Sequence, residues 1–243
     1  MSTSVSLIGA SGRMGQLTLG LIENDPSFTL HSALGSGNSL NEAIGADLVI
    51  DFTNPEVSER VVDFAIDHNL RLLVGTSGWS KEKIDRVRAK IAGTSAVVAI
   101  VPNFSIGSVL ATKFAADAAK YFDGIEIIET HNVTKVDAPS GTALYTSLAI
   151  SEARKGKPAS EQTGAVRDPL FNGIPIKSVR LPDKHAEQEV TLTGPDEFLY
   201  VRHEVTSHEV YAKGILLSMH KAMTLSGLSV GCLLYTSPSP RDS

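Results

Sequence analysis

Val5-Ser6-Leu7-Ile8-Gly9-Ala10-Ser11-Gly12-Arg13-Met14-Gly15 is the stretch from which the fold is read. A short apolar run ends in glycine, and from Arg13 to Asn24 the apolar residues Met14, Leu17, Leu21 and Ile22 recur at helical spacing. The order is strand, tight turn, helix. Glycines in such a turn let backbone approach a pyrophosphate closely, and the helix N-terminus offers free amides with a partial positive charge. Gly9, Ala10, Ser11, Gly12, Arg13 and Met14 are therefore candidate dinucleotide-binding residues, with Arg13 able to add a direct phosphate contact. The spacing is GxxGxxG rather than GxGxxG, and a glycine triplet alone also serves ordinary turns. The sequence around it decides.

Outward from this stretch the same grammar repeats. After Pro26 a second strand spans Phe28 to Leu34, and residues 48–52 form a third, nearly continuously apolar strand. Continuous burial suggests a parallel sheet covered on both faces. Asn54-Pro55 opens a helix running to about residue 69, because Asn can cap free amides and Pro suits the first helical position. Residues 71–74 give the next strand, Ser80 caps a helix over 81–92, Gly93 stops it, and 96–101 are a further strand. This alternation predicts a Rossmann-like, doubly wound α/β domain. Beyond Pro102-Asn103 the pattern changes to a helix over 106–121, a strand over 125–130 and a helix over 140–154. A polar surface loop over 154–172 and three successive strands at 176–181, 187–193 and 198–206 follow, then a helix over 208–223. Strands in sequence, separated by turn residues such as Gly194-Pro195, predict a mixed or antiparallel sheet in a second α+β domain. The expected division is a cofactor domain of residues 1–103 completed by about 212–231, and a substrate-binding and oligomerisation domain of residues 104–211.

Composition bounds the function. Of 243 residues, 42% are hydrophobic and 20% charged, the balance of a chain that folds. A net charge of −5 supplies no basic field, which argues against nucleic acid as a partner. Residues 1–6 lack a basic segment ahead of an apolar one, and no apolar run approaches a membrane span, so neither export nor membrane insertion is expected. The single cysteine allows no internal disulfide and suits a reducing, cytoplasmic compartment. That cysteine opens the string CLLYTSPSPRDS, residues 232–243, which reads as a translated sequencing adapter and is set aside from fold reasoning.

Ligands in open α/β sheets sit outside the carboxyl ends of the strands. Gly75, Thr76 and Ser77, with Val101, Pro102, Asn103 and Phe104, are thus candidates to line a nicotinamide pocket. Neither an acid nor an arginine stands in Leu34-Gly35-Ser36-Gly37-Asn38, where the adenosine ribose is expected. Ser36 and Asn38 can bond either form of that ribose, so both NADH and NADPH are expected to serve. Chemistry is expected in the polar segment from His131 to Thr142, which holds a titratable imidazole, the Lys135 ammonium and a Ser140-Gly141-Thr142 turn opening a helix. Such a turn can hold a carboxylate, Lys135 can supply its counter-charge, and His131 and Lys135 are suitable acids for proton delivery after hydride transfer. By composition alone, a surface loop with a cap at Ser140 is the better account of the segment.

The ordered series GASGRMG (9–15), IDFTNP (50–55), VGTSGW (74–79), PNFSIG (102–107) and ETHNVTKVDAPSGTA (129–143) resembles the dihydrodipicolinate reductase family of the bacterial and plant lysine pathway. The resemblance spans residues 5 to about 231, and its last motif is highly specific. It implies reduction of 4-hydroxy-tetrahydrodipicolinate, by way of its dehydrated form, to tetrahydrodipicolinate by NADH or NADPH, in a homotetramer built through the second domain's sheet. It also implies His131 as proton donor or acceptor, Lys135 as second donor, and Gly141 and Thr142 with Ser140 as the substrate carboxylate site. Where the family usually has a second and a third histidine, this chain has Asn132 and Thr134. Asparagine can donate a hydrogen bond to a carboxylate but carries no proton, so weaker substrate binding is expected, with the chemistry retained. The family's final segment packs back on the cofactor domain, and here the adapter-like tail stands in its place.

Two other readings stay open: a nicotinamide-dependent reductase of another small dicarboxylate, such as an aspartate dehydrogenase, and a non-catalytic dinucleotide sensor. The sensor would not need the His131 and Lys135 pair. His31, His68, His185, His203, His208 and His220 show no metal-ligand spacing, so no metal is expected. Asp51 and Asp137 are read as orienting or capping groups.

Overall fold

The computed structural model describes residues 2–157, 159 and 168–231. The polar stretch at 158 and 160–167 and the adapter-like string at 232–243 lie outside the described residues. The chain divides into two compact units, one containing residues 2–104 and 211–231 and the other 105–210.

In the first unit β1 (Thr3–Ile8), β2 (Phe28–Leu34), β3 (Leu48–Asp51), β4 (Arg71–Val74), β5 (Val97–Ile100) and β11 (Gly227–Val230) form one sheet in the order β11-β5-β4-β3-β1-β2. Every neighbouring pair is parallel. The central strands bury alternate residues on opposite faces, as a period of two requires. Val49, Leu72, Val74 and Val98 pack with Val61, Val62, Ala65 and Ile66 of α2 (Pro55–Asp67) and with Val87 and Ile91 of α3 (Lys81–Ile91). Leu48, Ile50, Leu73 and Ala99 pack on the other side with Ile22 of α1 (Arg13–Asn24) and with Ile215 and Met219 of α6 (Ala212–Ala222). Both faces are thus covered, which is why these strands read as continuous apolar runs. Asn54 caps α2 by accepting from Val57 N at 3.0 Å, with Pro55 in its first turn, and Ser80 caps α3.

Two details of this unit differ from the sequence reading. The last helix is shorter than 208–223: a 3-10 turn over His208–Tyr211 precedes α6. Strand β11 was not foreseen. Arg71 Nη1 donates to Ala222 O at 2.6 Å and Leu225 O at 2.9 Å, which pins the end of α6 against β4 and leads the chain into β11 beside β5.

The second unit holds α4 (Ile106–Ala118), β6 (Gly124–Asn132), α5 (Gly141–Ala153), the short β7 (Leu170–Phe171), β8 (Ile174–Leu181), β9 (Ala186–Thr193) and β10 (Phe198–Val205). Its sheet runs β10-β9-β6-β8-β7, with β6 and β8 parallel and the other pairs antiparallel, a mixed sheet as expected. Ile125, Ile127, Ile174, Ile176, Val190 and Leu192 form its core with Ala115, Ala143 and Ile150 of the helices. Among the described residues no helix is long and apolar enough to cross a membrane.

Candidate active site

The first component is the edge formed by the carboxyl ends of the parallel strands. Hydrogen bonds continue each ladder past its last strand residue: Gly9 N donates to Leu34 O at 2.9 Å, Phe52 N to Ile8 O at 2.9 Å, Gly75 N to Asp51 O at 2.9 Å and Val101 N to Val74 O at 2.9 Å. Gly9, Phe52, Gly75 and Val101 are therefore held in register along that edge. Gly9 has φ +85°, and a Cβ there would lie 2.4 Å from Phe52 O. A Cβ on Gly15 would lie 2.2 Å from Gly9 O, so α1 starts hard against the turn. Gln16 Nε2 braces it by donating to Ala10 O at 2.8 Å, a contact the sequence reading missed. Among the described residues Asn or Ser side chains cap α2, α3, α4 and α5 but not α6, and α1 begins at Gly12, likewise without a side-chain cap. Its first amides stay open for an anion.

Ser11, Gly12 and Arg13 are exposed and Met14 is half-buried, while Ala10 is part of the core. Thr76 Oγ1 is buried without a hydrogen-bond partner among the described residues, a donor that a ligand could satisfy. Ser77 and Pro102 are exposed and Asn103 is half-buried. Val101 and Phe104 correct the reading in one respect: both side chains are core, and Phe104 stacks edge-on against Phe52 at 5.5 Å, so only their backbones can line a pocket. Gly75 is needed there because a Cβ would lie 2.2 Å from the Phe52 ring. Asp51 orders this loop by accepting from Thr53 N at 3.0 Å, Thr53 Oγ1 at 2.6 Å and Ser58 Oγ.

After β2, Asn38 is used within its own loop: Oδ1 accepts from Gly35 N at 3.0 Å and Nδ2 donates to Glu42 at 3.2 Å. Glu42 closes a capping box with Ser39. Ser36 remains exposed as the group able to meet a ribose. The uncapped helix start, the glycine contacts and the orphan Thr76 hydroxyl together fit a dinucleotide.

The second component lies at the end of β6. His131 and Asn132 are the last residues of the strand itself rather than of a loop, so their directions are fixed by the sheet. Asn132 Oδ1 accepts from Thr134 N at 3.0 Å and Thr134 Oγ1 at 2.9 Å, and Lys135 N donates to Asn132 O at 3.0 Å. The two positions where the chain departs from the expected histidines therefore bond to each other and form the turn that presents Lys135. Lys135 Nζ reaches Asp137 Oδ1 at 2.8 Å, and this bond is the main cause holding the Asp137 carboxyl below its usual range.

Behind His131 stands a residue that the sequence reading passed over. Glu129, fully buried two positions earlier on the same face of β6, accepts from His131 Nδ1 on one oxygen and from Arg180 Nη2 at 3.0 Å on the other. Arg180 is brought there by register, since β6 and β8 pair His131 with Arg180. Its Nη2 also donates to Asp137 O at 2.7 Å and its Nη1 to Val179 O at 2.7 Å. His131 and Lys135 are thus joined through Glu129, Arg180 and Asp137 in one network. Burial alone would raise the Glu129 carboxyl, but hydrogen bonds from His131, Arg180 and Ser178 outweigh it and bring it down to about 2.

A depressed carboxyl contributes stability that is present above its unfolded value and lost as pH falls toward the folded one. We expect the unfolding free energy of the wild type to lose on the order of 3 kcal/mol more than Glu129→Gln between pH ~5 and pH ~2. Urea titrations at stepped pH check this, and parallel profiles for the two proteins would refute it.

Ser140 corrects the reading in another respect. Its side chain is buried and its Oγ accepts from Ala143 N at 3.2 Å, so it caps α5 and shapes the turn. Gly141 is exposed and Thr142 half-buried at the head of that helix, where the partial positive charge suits a carboxylate. The remaining histidines are dispersed: His68 stacks on Phe64, His220 lies tilted against Phe28, His185 meets His208 edge-on, and burial pushes the His203 imidazole down. Among the described residues no group of three or more His, Cys, Asp or Glu is placed to hold a metal ion.

Family models described as dihydrodipicolinate reductase, N-terminus and C-terminus match residues 3–104 and 107–231. The chain belongs to the dihydrodipicolinate reductase family. It is 41% identical over 237 residues to a 4-hydroxy-tetrahydrodipicolinate reductase of Clavibacter michiganensis subsp. michiganensis, covering 95% of this chain and 85% of the relative. A relative of the same name in Mycolicibacterium vanbaalenii is 39% identical over 235 residues, covering 93% and 96%. Among solved structures, dipicolinate-bound dihydrodipicolinate reductase from Paenisporosarcina sp. TG-14 superposes with a TM-score of 0.78 at 28% identity, covering 96% of this chain and 99% of the other. Within the reductase family frame, the glycine turn at residues 9–15 belongs to the N-terminal part and the His131–Lys135 network to the C-terminal part.

Proposed function

We propose that this chain reduces 4-hydroxy-tetrahydrodipicolinate, by way of its dehydrated form, to tetrahydrodipicolinate, with NADH or NADPH as reductant, in lysine and diaminopimelate biosynthesis in the cytoplasm. The observation that carries this reading is the network joining His131 and Lys135 beside the head of α5, in a chain whose two halves both match the reductase family.

The bound dinucleotide supplies a hydride to the conjugated imine ring. Gly9 to Gly15 and the first amides of α1 would hold its pyrophosphate, with Arg13 as counter-charge, and Thr76 with the Gly75 and Asn103 backbones would line the nicotinamide side. Gly141 and Thr142 hold a substrate carboxylate at the head of α5, and the Asn132 amide, whose oxygen is taken up by Thr134, adds its NH2 as a donor. His131 or Lys135 delivers the proton that completes the reduction, so one hydride and one proton are added per turnover. Use of both cofactors is supported by the Gly35 to Asn38 loop, which has no arginine for a 2′-phosphate and whose nearby carboxylate, Glu42, is engaged by Asn38 and Ser39.

The assembly is a homotetramer built through the second unit's sheet. Phe198, Tyr200, Leu170 and Leu181 are exposed on strands of that sheet, a set of apolar side chains suited to burial against copies of the chain. A coupled assay with freshly generated substrate tests the function against oxaloacetate plus ammonia, the substrates of an aspartate dehydrogenase. Oxidation of either reduced cofactor, within a hundredfold of each other in kcat/KM, is the expected result. Cofactor oxidation only with oxaloacetate and ammonia would replace the substrate, and binding without oxidation in any mixture would favour a sensor.

A further inference from the structure

We propose that Glu129 is the positioning residue of this site: one carboxylate oxygen fixes His131 with its proton on Nδ1, leaving Nε2 to exchange protons with the substrate, while the other oxygen anchors the Lys135 loop through Arg180. The role in catalysis rests on the function proposed above; the orientation of His131 does not.

A carboxylate removed from water is costly unless its charge and lone pairs are met, and an apolar residue of similar volume would usually serve the core as well. Ile125 and Ile127 do serve it at the two preceding inward positions of β6, so the change to Glu129 falls where the strand reaches His131. The carboxylate is held ionised, and an ionised carboxylate only accepts, so the His131 Nδ1 facing it must carry the hydrogen. In neutral imidazole Nε2 is then the acceptor, and in imidazolium it is the free donor.

The second arm is as specific. The planar guanidinium of Arg180 bonds a β6 carboxylate, its own strand's Val179 carbonyl and the Asp137 carbonyl at once. The Asp137 side chain in turn holds Lys135. Both proton-bearing groups are therefore referred to the same buried carboxylate, and a shift of one is transmitted to the other.

The test uses the full chain labelled with 15N at histidine, with His131→Asn assigning the resonance. In the unliganded wild type, neutral His131 is expected as the Nδ1–H tautomer, and in Glu129→Gln as a mixture of tautomers. Kinetically, Glu129→Gln is expected to lose about 10²-fold in kcat, with KM for the reduced cofactor changed less than about twofold. An Nε2–H tautomer in the wild type would overturn the proposal, and that measurement does not depend on whether the variant folds. Turnover by Glu129→Gln within twofold of an active wild type would overturn it as well. A wild type that reduces no substrate, yet shows the Nδ1–H tautomer, would count against the proposed function alone.

Discussion

Replacing Lys135 with Ala is expected to lower kcat by about 10²- to 10⁴-fold while leaving the affinity for reduced cofactor within about twofold. The ammonium stands on the turn set by Asn132 and Thr134, half-buried and paired with an exposed Asp137, so it can leave that partner for a ligand at little cost. Under the proposed function its removal takes away both a proton source and the counter-charge for a carboxylate, so KM for the substrate should rise as well. Because Lys135 contributes to no core cluster, the variant should fold as the wild type does. Steady-state kinetics with a fluorescence titration of the reduced cofactor separates these effects. Unchanged kcat in Lys135→Ala would remove it from the mechanism.

The second large effect belongs to the glycine turn and separates architecture from binding. A Cβ at Gly15 would lie 2.2 Å from Gly9 O and 2.7 Å from the Ala10 backbone, so α1 and the turn must move apart. Gly15→Ala should destabilise the chain by about 1–3 kcal/mol or more, as overpacking does, and weaken cofactor binding along with it. At Gly12 the nearest atom, Gly9 O, is 3.4 Å from such a Cβ and φ is −77°, so the fold tolerates alanine there. Gly12→Ala should melt within a few degrees of the wild type yet bind the dinucleotide at least about tenfold more weakly, because under the proposed function the methyl would stand where the pyrophosphate approaches. Thermal melts and cofactor titrations on both variants check this. Normal cofactor affinity in Gly12→Ala would place the dinucleotide elsewhere.

The parts of the fold legible in the sequence were those whose burial pattern is local. Leu48 to Ile50 and Leu72 to Val74 are buried on both faces and announce a covered parallel sheet without knowledge of any partner. Strand β11 carries only Gly227, Leu228, Ser229 and Val230, and nothing in that string distinguishes it from a loop until β5 lies alongside. The 3-10 turn before α6 was likewise hidden, since His208 to Tyr211 continues a helical spacing.

The candidate site divides in the same way. His131 and Lys135 stood out as polar groups crowded between a strand and a helix. Ser140 could be read either as a cap or as a ligand, and its burial and its bond to Ala143 show the cap. Glu129 left one signal: it continues the inward series Ile125, Ile127 with an acid, two residues before the histidine. Arg180 left none, because its place beside Glu129 follows from parallel pairing between strands separated by a helix and a long connection.

With reduced cofactor deuterated at the transferable position of its nicotinamide C4, and freshly made substrate, one deuterium is expected in each tetrahydrodipicolinate formed, matched to one cofactor oxidised. Cofactor consumed with no deuterium in the product, or bound and never oxidised, would contradict the proposed function.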